Sequence, residues 1–149
     1  MYLLAGTIKN GLLVELGVHK GRGIASLATA SKSNLVIGLD SAYDGLELEE
    51  VLAKFHNIWF WHTSSMPVSD YFTGKTINLL HIDTEHSYSM AKAEFEAYQP
   101  YLAKGAYVLF DDLHAIEDEV LTYFNELPYE KVQDDRLHPS CGYGVMIYE

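Results

Sequence analysis

The chain has 149 residues, 48% of them hydrophobic and 21% charged, which suits one ordinary domain with its own core and is too short for two. Ten Lys and Arg stand against 21 Asp and Glu, a formal net charge of −11, and that argues against a protein built to neutralise the phosphates of a duplex. The imbalance is uneven: residues 1–82 carry 6 basic and 7 acidic side chains, residues 83–149 carry 4 and 14. Such a local excess is either a solvated acidic face or a place for a divalent cation. Cys141 is the only cysteine, so no disulfide forms within the chain and a cytoplasmic setting is expected. Met1 to Ala5 lacks a basic lead-in, and no run approaches the ~20 apolar residues that cross a bilayer, so neither secretion nor a membrane partner is expected. No repeat or linker divides residues 1–149, which are read as one domain.

In chain order, Gly11 to Leu16 is a short apolar run followed by glycines, and Ile24, Leu27 and Ala28 then recur at helical spacing. Leu35 to Leu39 is continuously apolar and ends at Asp40, as expected of a strand covered on both faces. Leu48, Val51, Leu52 and Phe55 form the next helical stripe, and a weaker strand follows at Ile58 to His62. Ile77 to Ile82 is the fourth strand, ending at Asp83. After it Ala91, Phe95, Tyr98 and Leu102 form a helical stripe, with Pro100 kinking its end and Gly105 as its stop. Ala106 to Phe110 ends at Asp111-Asp112, and Ile116, Val120, Leu121 and Phe124 make the last stripe. Two short strands, near Tyr129–Val132 and Tyr143–Ile147, finish the chain.

Strands alternating with helices predict an α/β fold, a single doubly wound and mainly parallel sheet. The last two strands are joined by a loop, so they are expected to pair antiparallel at one edge, as a C-terminal hairpin. Ligands in such a sheet bind outside the carboxyl ends of the strands. That edge collects Glu15, Asp40, Asp83, Asp111 and Asp112. Carboxylates brought so close raise one another's pKa unless a cation or hydrogen-bond donors compensate, which points to a cationic ligand, a metal or both. The alternative for any one of them, and for Asp112 in particular, is to cap a helix or form a turn. The first turn reads E-x-G-x-x-x-G from Glu15 to Gly21, with His19 where a dinucleotide fingerprint has its middle glycine. Asp40, about 25 residues beyond Glu15, stands where a carboxylate accepts from the two hydroxyls of a ribose, a role shared by nicotinamide and adenosyl cofactors.

The stretches VELGVHKGRG (14–23), VIGLD (36–40), LLHIDTEHSY (79–88) and LAKGAYVLFDD (102–112) resemble the class I S-adenosylmethionine-dependent methyltransferases, whose fold is Rossmann-like. The likeness is sharper to the subgroup of metal-dependent macrolide-sugar O-methyltransferases and cephalosporin-hydroxylase-like proteins. The resemblance implies that Glu15, Gly17 and Gly21 line the methionine part of the cofactor and that Asp40, with Ser41 beside it, holds the ribose. It also places Ser64 and Ser65 near the adenine, with Asp83 bordering the cofactor too. It implies further that Asp83, Asp111 and Asp112 bind Mg²⁺ or another divalent cation, which prefers oxygen ligands and leaves positions for two acceptor oxygens. His86, three residues after Asp83, would then take the acceptor's proton. The alternative for His86 is a cap or packing role at the start of the helix beginning near Ser87. His81 is read as a packed, hydrogen-bonded strand histidine, His114 as a loop residue, and Trp59 and Trp61 as packing residues.

The expected activity is metal-dependent O-methylation of a hydroxyl on a sugar or other small polar acceptor. Only about ten residues precede the first strand, where the related enzymes carry a longer segment over the acceptor. Walls for the acceptor are therefore expected from the loops around Tyr43–Glu47, Leu113–Ile116 and Asp134–Gly142 or from a second subunit of a homodimer. Two further readings stand beside this one. In the first, the chain is a cofactor-binding module without methyl transfer, and in the second it is an NAD-dependent oxidoreductase.

Overall fold

Five short runs become parallel strands, the inner four largely buried and the fifth, Ile58–His62, lying at the sheet edge with Trp59 exposed. In the computed structural model, which describes residues 1–42, 45–135 and 141–149, these are β1 (Leu12–Leu16), β2 (Leu35–Asp40), β3 (Ile58–His62), β4 (Ile77–Ile82) and β5 (Leu102–Asp111). With β6 (Glu130–Gln133) and β7 (Tyr143–Ile147) they form one seven-stranded sheet in the order β3-β2-β1-β4-β5-β7-β6. The two C-terminal strands are antiparallel as expected, and it is β7 that inserts between β5 and β6. The chain crosses over between β3 and β4, from one edge of the parallel set back to its centre, and this leaves the carboxyl ends of β1, β2 and β4 side by side.

Successive residues of a strand point to opposite faces, and the two halves of the core divide accordingly. Val14, Leu16, Ile37, Leu39, Leu80, Ile82, Val108 and Phe110 face one layer. That layer holds α4 (Tyr88–Tyr98) through Ala91, Phe95 and Tyr98, and α5 (Glu119–Glu126) through Val120, Tyr123 and Phe124. Leu13, Val36, Leu79 and Leu109 face the other layer. There α2 (Arg22–Ala30) packs through Ile24, Leu27 and Ala28, α3 (Gly45–Lys54) through Leu48, and α1 (Tyr2–Thr7) through Ala5.

Three expectations are corrected. Helix α4 ends at Tyr98 and a 3-10 turn, Gln99–Tyr101, follows, because Pro100 has no N–H to extend the helix and fits only its own first turn. Leu102 therefore opens β5 rather than closing the helical stripe. Gly105 is not a helix stop but lies inside β5 at φ 81, where the register against β4 shifts between Ile77 and Leu79 and the extra residues need a left-handed step. Ile116 does not begin the last helix: it is exposed, and with Glu117 and Asp118 it forms three successive positive-φ residues before α5 starts at Glu119. Helix α1 was not anticipated, since six residues carry too little periodicity to announce a helix.

Candidate active site

The loop after β1 is shaped by close backbone approach. Gly17 adopts φ 83 and donates its N–H to the Leu39 carbonyl at 2.9 Å. A Cβ on it would lie 1.8 Å from the Asp83 carbonyl oxygen, so only glycine fits where β1 and β4 end together. His19, in the place of a fingerprint glycine, itself takes φ 47, a left-handed conformation that histidine adopts more readily than most residues. This bend turns the amides of Val18 and His19 toward Asp40, whose Oδ2 accepts them at 2.8 and 2.7 Å, while Oδ1 accepts the Ala42 amide at 2.8 Å. Burial works to raise the Asp40 pKa, and the three backbone N–H groups outweigh it, so the group stays below the ordinary carboxylate range.

Beneath this loop lies a buried acid and base pair. His81 Nδ1 donates to Glu15 Oε1 at 2.8 Å, and both side chains are almost fully shielded from solvent. Burial opposes the charge on His81, but the hydrogen bond and charge of Glu15, joined by Asp83 and Asp111, outweigh it and raise its pKa. Burial likewise raises Glu15 against the help of His81. Among the described residues, three buried polar atoms of this region have no hydrogen-bond partner: Glu15 Oε2, His81 Nε2 and the Tyr143 hydroxyl. Helix α2 closes over Glu15 so tightly that a Cβ on Gly23 would meet Oε1 at 1.7 Å.

The carboxylates after β4 and β5 meet above the pair. Burial is the main cause that raises the pKa of Asp83 to about 7, with Asp111, Glu15 and Asp112 adding like charge and His81 opposing them. His86 Nδ1 stands 3.2 Å from Asp112 Oδ2. Asp83, His86 and Asp112 each place one potential ligand atom within 4.8 Å of the others, as do Glu15, His81 and Asp83. Asp111 belongs to neither group. Its Oδ1 accepts the Asp112 amide at 2.9 Å and its Oδ2 lies 3.9 Å from His81 Nε2. Asp112 takes φ 51 and aims at His86 rather than capping α5.

A cavity of about 510 Å³ opens over these strand ends. Of the residues expected to bind a cofactor, Gly17, Asp40, Ser41, Ser64, Ser65 and Asp83 line it, together with His86 and Asp112. Glu15 and Gly21 do not: Glu15 is turned to His81, and Gly21 packs on Leu48 and Val51 at the start of α2. The lining also includes His19, noted in the sequence only as standing in a glycine's place, and Leu39, Thr84, Glu85, Met90 and Glu94, which no site expectation named. For Thr84 and Glu85 the signal was their place directly after Asp83. Glu94 gave none, being an acid in an amphipathic helix that the fold buries completely. His114 is held away from the cavity between Asp118 (2.6 Å) and Asp135 (3.3 Å). Trp59 and Trp61 pack on Tyr71, with ring centroids 6.0 and 5.0 Å away. Of the acceptor loops proposed, residues 43–44 and 136–140 lie outside the described residues.

A seven-stranded sheet in this order, with an acid at the end of β2 facing a glycine-bent loop after β1, is a Rossmann-like nucleotide-binding fold. A family described as a methyltransferase domain matches residues 14–113, and the chain belongs to it, among the class I S-adenosylmethionine-dependent methyltransferases. No curated protein matches the chain. Solved structures with the same fold include the fibrillarin pre-rRNA processing protein of Methanococcus jannaschii (TM-score 0.77, 17% identity, 95% of this chain and 68% of that one). An O-methyltransferase from Bacillus cereus in complex with S-adenosylhomocysteine aligns with TM-score 0.75 at 13% identity over 99% of this chain and 78% of that one. The TDP-rhamnose 3′-O-methyltransferase of calicheamicin biosynthesis aligns with TM-score 0.70 at 21% identity over 95% and 73%. At these identities the structures speak to the fold. Among the described residues no helix is long and apolar enough to cross a membrane.

Proposed function

We propose that the chain transfers a methyl group from S-adenosylmethionine to a hydroxyl of a sugar or other small polar acceptor, with help from a divalent cation. The observation that carries the reading is that Asp83, His86 and Asp112 converge at the wall of the same cavity that Asp40 and Gly17 line. Asp40 is suited to the ribose hydroxyls and Gly17 to close contact with the cofactor, with Ser41, Ser64 and Ser65 around the nucleoside. The donor set fits a cation. Asp83 and Asp112 offer hard carboxylate oxygens, and a bound positive charge would offset the burial, and the like charge added to it, that raise the Asp83 pKa to about 7. Asp111 would reach such an ion only by giving up its place beside His81.

When bound, the cation lowers the pKa of the acceptor hydroxyl. Residues of the chain do the rest. Asp112 holds His86 through Nδ1, which fixes the tautomer that leaves Nε2 as the proton acceptor. Methyl transfer from a sulfonium needs an alkoxide-like nucleophile, and the His86 imidazole lies at the cavity wall where it can take that proton. Isothermal titration with S-adenosylhomocysteine tests the cofactor, and absence of binding at millimolar ligand would remove it. Methyl transfer to a panel of sugars and catechols tests the rest: Asp83→Ala is expected to abolish Mg²⁺-stimulated turnover, and full activity in chelator would refute the metal.

A further inference from the structure

Glu94 lies on α4, one turn before Tyr98, and is completely buried, yet it forms part of the cavity wall. Its two oxygens are used separately. Oε1 accepts from Ser65 Oγ at 2.5 Å, and Oε2 accepts from Thr84 Oγ1 at 2.7 Å. Burial raises the Glu94 pKa, and the two hydroxyls oppose that rise because each aims its proton at the charged form of the carboxylate. Tyr98 adds a second hold on the same strap by donating its hydroxyl to the Ser65 carbonyl at 2.9 Å. One acid thus fastens the loop after β3 to the loop after β4.

The chemical consequence lies in where the hydroxyl protons point. A hydroxyl has one proton and two lone pairs. Because the carboxylate takes the proton of both Ser65 and Thr84, each of these oxygens has only acceptor capacity left for a ligand in the cavity. Leu39 and Met90 supply the apolar part of the lining that a flat heteroaromatic base would rest on. We infer that Glu94 is a positioning residue that sets base specificity: it converts Ser65 and Thr84 into obligate acceptors, so that the cavity selects a purine bearing an exocyclic amino group over one bearing a carbonyl. The inference rests on the cavity being the cofactor site.

A carboxylate is required because it offers an acceptor oxygen to each hydroxyl at once. In Glu94→Gln the amide nitrogen must donate to one hydroxyl oxygen, which frees that hydroxyl's proton to point into the cavity and welcome a carbonyl. The test compares S-adenosylhomocysteine with its deaminated analogue S-inosylhomocysteine by calorimetry on the full chain. The folded protein is expected to prefer the amino compound by about tenfold or more, the worth of one good hydrogen bond exchanged for a clash of like acceptors. In Glu94→Gln the ratio should fall to about threefold or less, and Ser65→Ala, which removes one acceptor from outside the helix, should lower it too. Retention of the original ratio in a folded E94Q or in S65A overturns the inference, as does equal binding of both analogues by the unsubstituted protein. If E94Q does not fold, S65A decides. Failure of the unsubstituted protein to bind either compound is a different result: it removes the cofactor reading, and the inference with it.

Discussion

At the scale of single residues, two positions carry opposite kinds of constraint. Gly17 is fixed by space: a methyl group there would overlap the Asp83 carbonyl, and its φ of 83 disfavours any L side chain. Gly17→Ala is expected to lower stability by about 3 kcal/mol or more and to give little folded protein, which thermal denaturation of the purified variant checks. Asp83 is fixed by charge. Its pKa stands at about 7 in the folded chain against 3.8 for a free aspartate, so between those values the folded state holds a proton that the unfolded chain has lost. Stability without added cation therefore falls as pH rises through this window, by up to about 4 kcal/mol, and levels off above it. Asp83→Asn removes that dependence. Its melting temperature should exceed that of the parent above pH 7 and match it near pH 4, and parallel curves for the two proteins would contradict the assignment. A divalent cation should restore the parent at pH 8 and leave the variant unchanged.

At the scale of elements, the site is held by contacts between helices as much as by the strands. The first residue of α4, Tyr88, donates its backbone N–H to Glu119 Oε2 of α5 at 2.8 Å, and its hydroxyl donates to Glu126 at 2.6 Å. An acid supplied to a helix N-terminus satisfies an otherwise unpaired donor and complements the helix dipole. Glu119→Ala should cost about 1 kcal/mol and speed hydrogen exchange at the Tyr88 amide, two residues from His86, while amides in the middle of α2 keep their rates. Exchange that is unchanged at Tyr88 would show that Ser87, the N-cap whose Oγ accepts the Met90 amide, holds this turn by itself. The acids at 117–119 illustrate the limit of sequence reading at this scale. Acids just before a helix can complement its own N-terminus, and Glu119 does serve one, but across space on α4. Asp118 instead pairs with His114, and Glu117 sits in the left-handed turn.

At the scale of the whole molecule, the net charge of −11 sets the response to ions. Most of the excess falls in residues 83–149, which include the acids of the site. Screening such self-repulsion should raise the melting temperature as monovalent salt goes from about 0.05 to 0.5 M, where the Debye length shrinks to a few ångströms. A flat or falling curve would mean that the pairs of His81 with Glu15 and of His114 with Asp118 and Asp135 matter more than the bulk repulsion.

The sequence by itself determined the layered α/β fold, the five parallel strands and the presence of an acid at the end of each site strand. Those features are local: continuous apolar runs, helical stripes and strand-terminating acids are each set within a few residues. Only the tertiary structure decided which acids share a neighbour. Asp111 and Asp112 are adjacent in the chain, but the strand's alternation and the φ of 51 at Asp112 send one toward His81 and the other toward His86. Glu15 reads as a cofactor contact until helix α2 closes over it and turns it to His81, and Glu94 reads as an ordinary helical surface acid until two loops from distant parts of the chain bring hydroxyls to it. Side-chain direction and burial depend on partners 10 to 66 residues away, and no short-range pattern records them.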